Sequence, residues 1–181
     1  MIVIIEGPDG VGKSTLIRHI RRDFFDGKVD IFKFSDTSDV SFSNYKEKLE
    51  ADLENIIMDR FNLSEDVYST VYQRYPKNSL LDHLKTFSLI EDLDAIYIIL
   101  YSSNLDLLWE RCHQRGDTEK VYNNLLDLND YYYQVGKELR RIYPKNIKLI
   151  DVAATADIFK DVEDILKEVQ NEQNKSDSNK S

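Results

Sequence analysis

The chain has 181 residues, with 24 lysines and arginines against 33 aspartates and glutamates, and a formal net charge of −9. That length suits one domain with its own core, and 41% hydrophobic with 11% aromatic residues excludes a wholly disordered chain. The acidic balance excludes a general duplex nucleic-acid binder, and the single cysteine, Cys112, excludes an internal disulfide framework and a four-cysteine zinc site. No stretch approaches the ~20 apolar residues of a membrane helix. The first residues lack the basic region and cleavage site of a signal peptide, so a cytoplasmic location without a membrane partner is expected.

In chain order, 1–5 is a continuous β-branched run, as expected for a strand buried on both faces of a parallel sheet. A helix is predicted over 13–23, with Leu16, Ile17 and Ile20 at helical spacing. A strand at 29–34 and a short polar helix at 44–54 follow, then an apolar run at 55–58 that ends at Asp59 and Arg60. Helices are predicted near 63–73 and 80–92, and further strands at 95–101 and 147–150. Ser103 with Asp106 reads as a capping box and Gly116 as a stop, giving a helix over 104–115. A longer helix over 119–143 has Val121, Leu125, Leu128, Tyr132, Val135 and Leu139 on one side. The run Tyr131, Tyr132, Tyr133 cannot all face one way, so at least one should meet solvent or another subunit. Thr155 reads as the cap of a last helix carrying Ile158, Val162, Ile165, Leu166 and Val169. The polar stretch from 170 reads as a disordered tail. Strands alternating with helices predict an α/β layered fold, with one domain over 1–169 and a tail over 170–181.

Of six glycines, Gly7, Gly10 and Gly12 fall close together. Gly7-Pro8-Asp9-Gly10-Val11-Gly12-Lys13-Ser14 matches the phosphate-loop pattern G-x-x-x-x-G-K-[ST] in full. Glycines there let successive backbone N–H groups curl around a phosphate, and the following helix turns its positive end toward the anion. Lys13 would reach the β- and γ-phosphates, and the Ser14 hydroxyl would bind Mg²⁺. The four fixed positions would match by chance in roughly one chain of this length in 150. Such a loop needs an acidic residue at the end of a neighbouring strand to order the metal, and Asp59 is the candidate. Arg60 beside it falls where anions bind at a strand's carboxyl end.

The stretch from Glu6 through Gly7-Pro8-Asp9-Gly10-Val11-Gly12-Lys13-Ser14 to Thr15 resembles the phosphate loop of thymidylate kinases. Asp59-Arg60-Phe61, with Ser64 and Tyr68, resembles that family's D-R-Y/F segment, and Arg111 to Asp117 resembles its arginine-bearing lid. The resemblance implies a nucleoside monophosphate kinase-like P-loop NTPase fold: a five-stranded parallel sheet of order 2-3-1-4-5, flanked by helices, with a short lid over about 104–120. It implies ATP with Mg²⁺ as donor and a deoxynucleoside monophosphate, dTMP or another, as acceptor. On that basis Asp9 would contact the acceptor sugar or order the transfer site, and Arg60 would hold the acceptor phosphate. Arg111 and Arg115 would clamp the transferring group, and the loop at 152–155 would border the adenine. Homodimers are common in the resembling family. The chain departs from the pattern after its second strand, where Phe34-Ser35-Asp36-Thr37-Ser38-Asp39 lacks the usual arginine. A further phosphate-binding arginine before the D-R segment is also missing, and Arg74 is the candidate substitute.

Arg111 and Arg115 are spaced i, i+4 and so share a helical face before Gly116. Phe34 and Tyr68 are the candidates for base contact, while Phe42, Phe61 and Tyr72 read as core. Trp109 is expected to anchor the lid helix to the body, Cys112 to pack, and His113 to be exposed; the three histidines have no metal spacing. The favoured function is phosphoryl transfer from ATP to a deoxynucleoside monophosphate. A deoxynucleoside kinase with Asp36 or Asp59 as base is the nearest rival, and an ATPase switch acting on a protein or nucleic-acid partner is the third reading. The acceptor is expected to be a small molecule rather than nucleic acid.

Overall fold

The computed structural model describes residues 1–34, 41–51, 53–75, 79–117 and 119–178. Five strands, β1 (Ile2–Glu6), β2 (Asp30–Lys33), β3 (Ile56–Asp59), β4 (Ile96–Tyr101) and β5 (Ile147–Asp151), form one sheet of order β2-β3-β1-β4-β5. All four pairings are parallel, with Ile5 opposite Asp59 and Glu6 opposite Ile99 around the central strand. Parallel neighbours require a crossover between strands, and the helices supply it. The chain lays β2 at one edge, inserts β3 between it and β1, and then builds outward on the other side with β4 and β5. The carboxyl ends of β1, β3 and β4 therefore border a crevice at the point where the order reverses.

Side chains alternate between the two faces of the sheet. Ile4, Ile56, Met58, Tyr97 and Ile99 pack with Tyr45, Phe61, Leu128 and Tyr132 on one face. Val3, Ile5, Ile57, Ile98 and Leu100 pack with Leu16, Ile20, Leu108, Val162 and Leu166 on the other. Coverage on both faces explains why β1, β3 and β4 read as unbroken apolar runs.

Helix α1 (Lys13–His19) continues through a π-helical turn over Ile20–Phe24. Helix α2 is Phe42–Leu49, earlier and shorter than predicted, because Ser41 caps it by accepting from the Asn44 N–H at 3.4 Å. Helices α3 (Asn62–Val71) and α4 (Leu80–Asp92) follow β3. The capping box of this chain lies at Ser79 and Asp82, where each side chain accepts from the other's backbone N–H. It does not lie at Ser103. Helix α5 (Leu105–Arg115) is capped by Asn104, which accepts from the Leu107 N–H at 3.3 Å, while the Ser103 N–H donates to Asp151 at 2.9 Å. Gly116 ends α5 in the left-handed conformation, φ 72°.

Helix α6 is Glu119–Ile142. The tyrosine run on it divides three ways: Tyr132 is fully buried, Tyr131 faces Thr70, and Tyr133 packs on Tyr101 at 4.8 Å. Helix α7 is Ile158–Ser178. Asp157, not Thr155, caps it, accepting from the N–H groups of Phe159 and Lys160, and Thr155 instead donates its hydroxyl to Asp161. The helix runs through 170–178, the start of the expected tail. Glutamate, glutamine and lysine continue a helix at little cost once its first turns are packed on the core. Among the described residues, no helix is long and apolar enough to cross a membrane.

The start of α3 is held by a buried carboxylate from β1. Glu6 is fully buried, and its Oε1 accepts from the N–H groups of Phe61 at 2.7 Å and Ser64 at 3.0 Å. Tyr97 donates to the same oxygen at 3.2 Å, and the Ser64 and Tyr132 hydroxyls donate to Oε2. Burial pushes the Glu6 carboxyl upward in pKa, against the pull of these donors and of Arg60. The first N–H groups of any helix lack internal partners, so this carboxylate caps α3 from across the sheet. Replacing Glu6 by alanine should cost about 3 kcal/mol, because several buried donors lose their acceptor together. Urea unfolding of the variant measures this, and a loss below about 1 kcal/mol would deny Glu6 that role.

Candidate active site

The phosphate loop leaves β1 and enters α1 at the crevice. Gly10 has φ +77°, and a Cβ there would stand 2.7 Å from the Leu108 carbonyl and 2.9 Å from Cys112 Sγ. Glycine thus serves two needs, the left-handed turn and the close approach of α5 to the loop. Gly12 caps α1 with φ 99°. Lys13 is 8% exposed, and its ammonium donates to the carbonyls of Gly7 at 2.6 Å and Pro8 at 2.7 Å. Burial, reinforced by Arg60, pushes the Lys13 ammonium down to about 7 against the opposing pull of Asp9, Asp59 and Glu6.

Asp59 ends β3 and is 7% exposed, with Lys33 Nζ 3.8 Å away on β2. Ser14 is exposed at the start of α1. Among the described residues no group of three or more His, Cys, Asp or Glu could hold a metal by itself. Ser14 and Asp59 are the residues that could hold a hard cation together with phosphate oxygens.

Arg60 adopts φ 67°, rare for a residue with a side chain. Its N–H donates to the Ile5 carbonyl at 3.0 Å, so the turn begins while the chain is still attached to β1. The turn carries the guanidinium over the Tyr68 ring, 4.7 Å from its centre, and onto Asp9 Oδ1 at 2.7 Å. The Tyr68 hydroxyl donates to the other oxygen of Asp9 at 2.8 Å. Burial alone would raise the Asp9 carboxyl, but Arg60, Lys13 and Tyr68 together hold it below its usual value. Loop, strand end and α3 are thus joined by one three-residue cluster.

The two arginines of α5 separate in space. Arg111 Nη1 lies 3.4 Å from the Gly10 carbonyl and 3.5 Å from that of Val11. Arg115 turns to the Asp117 carboxylate and to Cys112 Sγ at 3.5 Å. Trp109 does not anchor the helix: it is 52% exposed and stacks on His113, itself exposed, at 5.3 Å. Leu108 and Cys112, both fully buried, anchor it.

Asp9, Lys13, Ser14, Asp59, Arg60, Tyr68, Arg111 and Arg115 border one cleft of about 1220 Å³. The candidate phosphate-loop, metal, arginine and base-contact residues all line it except Gly7 and Pro8, whose carbonyls hold Lys13, and of the 152–155 loop only Val152 does. Phe34 reaches the cleft but is 6% exposed and packed edge-on against Tyr45 at 5.0 Å, so it belongs mainly to the core. Asp36 lies outside the described residues. Sequence reasoning missed Arg18, Lys33, Glu65, Ile158 and Phe159, which also line the cleft. The i, i+4 spacing of Ser14 and Arg18 was the one available signal.

Sheet order, phosphate loop and flanking helices define an α/β P-loop NTPase fold. No protein-family model and no curated protein matches the sequence. Among solved structures, the YorR protein of Bacillus subtilis in complex with phosphorylated GDP superposes with a TM-score of 0.72 at 20% identity, over 96% of this chain and 98% of that one. Deoxyadenosine kinase from M. mycoides with bound dATP gives 0.57 at 20% identity over 94% and 100% of the two chains. The same enzyme with dCMP and dCDP gives 0.53 at 21% identity over 98% and 100%.

The depressed Asp9 carboxyl contributes stability above its unfolded value of 3.8, and that contribution is lost as pH falls through the lower folded value. Asp9→Asn should therefore flatten the loss of stability below about pH 4. Urea unfolding of both proteins across the acid range tests it. An unchanged acid slope would mean that Asp9 is not held as its contacts imply.

Proposed function

We propose that the protein is a Mg-ATP-dependent kinase that phosphorylates a deoxynucleoside monophosphate. One observation carries this reading: cationic side chains stand on both sides of Lys13 in one cleft, Arg60 on the β3 side and Arg111 on the β4 side. A donor and an anionic acceptor need such an arrangement, because positioning and charge stabilisation supply most of the rate in phosphoryl transfer. ATP supplies the phosphoryl group and Mg²⁺ offsets its charge. Ser14 and Asp59 would hold the metal. Lys13 exchanges its bonds to the Gly7 and Pro8 carbonyls for a phosphate oxygen. Arg60, kept in place by Asp9 and Tyr68, orients the acceptor phosphate. Arg111 faces the transferring group from α5, and Arg115, freed from Asp117, closes behind it and excludes water.

A second reading, a deoxynucleoside kinase, is favoured by the charge balance on the acceptor side. Arg60 is matched by Asp9 and Arg74 by Glu65, which leaves less positive charge for an acceptor phosphate. The likeness to deoxyadenosine kinase supports this alternative. In that case Asp59 would accept the hydroxyl proton.

Mg-ATP turnover against matched deoxynucleosides and their monophosphates, with products identified by mass, separates the readings. A diphosphate product is expected. A monophosphate made from a nucleoside would transfer the assignment to the second reading, and ATP loss without a phosphorylated acceptor would overturn both. Lys13→Ala should lower kcat by about 10³-fold with the fold retained; turnover at the wild-type rate would remove Lys13 from the mechanism.

Because free Lys13 loses its proton near pH 7 and a phosphate would restore it, ATP binding should take up a proton above about pH 7. Its affinity should fall as pH rises through that range. Calorimetry in buffers of different ionisation heat detects the proton; binding without uptake would contradict the Lys13 environment described.

A further inference from the structure

The cleft has two ends. Tyr72 and Arg74 lie on the β3 side, and Val152, Ile158 and Phe159, which follow β5, lie on the other. Phe159 stands in the first turn of α7, where Asp157 accepts from its N–H at 3.1 Å. It is half-buried, and its ring packs on the His19 imidazole with 4.5 Å between centres. His19, on α1, is held at both ring nitrogens: Nδ1 is 2.7 Å from Asp23 Oδ2, and Nε2 is 2.8 Å from Glu163 Oε1 on α7. Contacts at both nitrogens fix the plane of the imidazole, and the imidazole backs the Phe159 ring. The loop before α7 turns backbone donors inward. Val152 donates to the Tyr101 carbonyl at 2.9 Å, Ala153 to Asp151 Oδ1 at 3.0 Å, and Ala154 and Thr155 to the Asp151 carbonyl, both at 3.2 Å. The side chains that this stretch presents to the cleft are apolar.

We infer that the Phe159 ring is the surface on which the base of the phosphoryl donor stacks, that His19 positions it, and that the base is taken by its face and not by its edge. This rests on the cleft being the phosphoryl-transfer site proposed above. A triphosphate seated on the loop with its terminal phosphate toward Arg60 trails its nucleoside the other way, toward β5. Every nucleobase has a π-face, so aromatic stacking tolerates all of them, and a purine covers more of the ring than a pyrimidine does. A site built on hydrogen bonds to a substrate can instead reject a mismatched analogue by about 10⁴–10⁵. The N–H groups of 152–155, which could have read an edge, already have acceptors. Adenine and guanine carry different donors and acceptors at their edges but similar faces, so both are accepted. The ligand class is therefore a purine nucleoside triphosphate. His19 touches no substrate and acts as a positioning residue through Phe159.

The test is calorimetric binding of ATP, GTP, CTP and inorganic tripolyphosphate with Mg²⁺ present, beside turnover of each nucleoside triphosphate with a panel of deoxynucleosides and their monophosphates. ATP and GTP should bind within about tenfold of each other, and CTP more weakly. Phe159→Ala should weaken ATP and GTP by about tenfold or more and leave tripolyphosphate unchanged. Phe159→Trp keeps an aromatic face and should bind ATP as the wild type does, which keeps the test open should the alanine variant fail to fold. His19→Ala should weaken ATP by a smaller factor, again without effect on tripolyphosphate, whereas a general loosening of α1 would weaken both. Equal weakening of ATP and tripolyphosphate in Phe159→Ala, unchanged ATP affinity in that variant, loss of ATP affinity in Phe159→Trp, or a gap between ATP and GTP well above tenfold would each overturn the inference and leave the kinase reading standing. Unchanged ATP affinity in His19→Ala would remove His19 from it. ATP held through Phe159 with no phosphorylated acceptor would overturn the kinase reading and leave the donor site standing. No binding of ATP, GTP or tripolyphosphate would overturn both.

Discussion

The architecture around the cleft depends on one buried carboxylate. Glu6 is the last residue of the central strand, and it faces away from solvent rather than into the crevice. Its two oxygens gather the Phe61 and Ser64 N–H groups, the Ser64 hydroxyl, and the phenols of Tyr97 and Tyr132. Elements from four places in the chain thus meet on one side chain: β1, α3, β4 and α6. Burying a charge is costly unless hydrogen bonds replace the lost water, and here the replacement is nearly complete. The upward push on its pKa records the desolvation that remains. Because Glu6 directly precedes Gly7, the contact that caps α3 also fixes where the phosphate loop begins.

From that anchor the site is built as a balance of charges. Lys13 is buried beside Asp9, Asp59 and Glu6, and Arg60 lies between Asp9 and the Tyr68 ring. Lys13 and Arg60 each have a carboxylate near them, whereas among the described residues Arg111 meets only the Gly10 and Val11 carbonyls. The same pairing keeps the side chains in place before any phosphate arrives, which is the economy of a preorganised site. The left-handed Arg60 backbone is the strained element in this arrangement. It is held by the Ile5 carbonyl on one side and the Asp9 carboxylate on the other.

Much of this was legible in the chain itself. The phosphate loop is legible because its chemistry needs fixed residue types at fixed spacing. The buried strands are legible because coverage on both faces forbids polar residues. Boundaries were less legible where two capping residues compete. Ser103 with Asp106 fits the capping pattern as well as Ser79 with Asp82 does, but the Ser103 N–H is drawn to Asp151 on a distant strand, and Asn104 takes the cap. Trp109 looked like an anchor because large aromatics usually bury, yet its position on α5 turns it outward while Leu108 and Cys112 meet the loop.

The sequence by itself determined the fold class, the strand run that opens it, and the phosphate-loop motif, because each is a local pattern of residue types. It also brought forward Asp59, Arg60, Arg111 and Arg115 as charges close to that loop in function. Only the tertiary structure decided what each of them meets: that Arg60 grips Asp9, that Arg111 reaches the loop while Arg115 turns to Asp117, and that Glu65 and Arg74 share one end of the cleft. Arg60 and Asp9 are 51 positions apart and Arg111 and Gly10 are 101 apart, on separate elements. Their geometry follows from the order in which the parallel strands are laid side by side, which spacing along the chain does not carry.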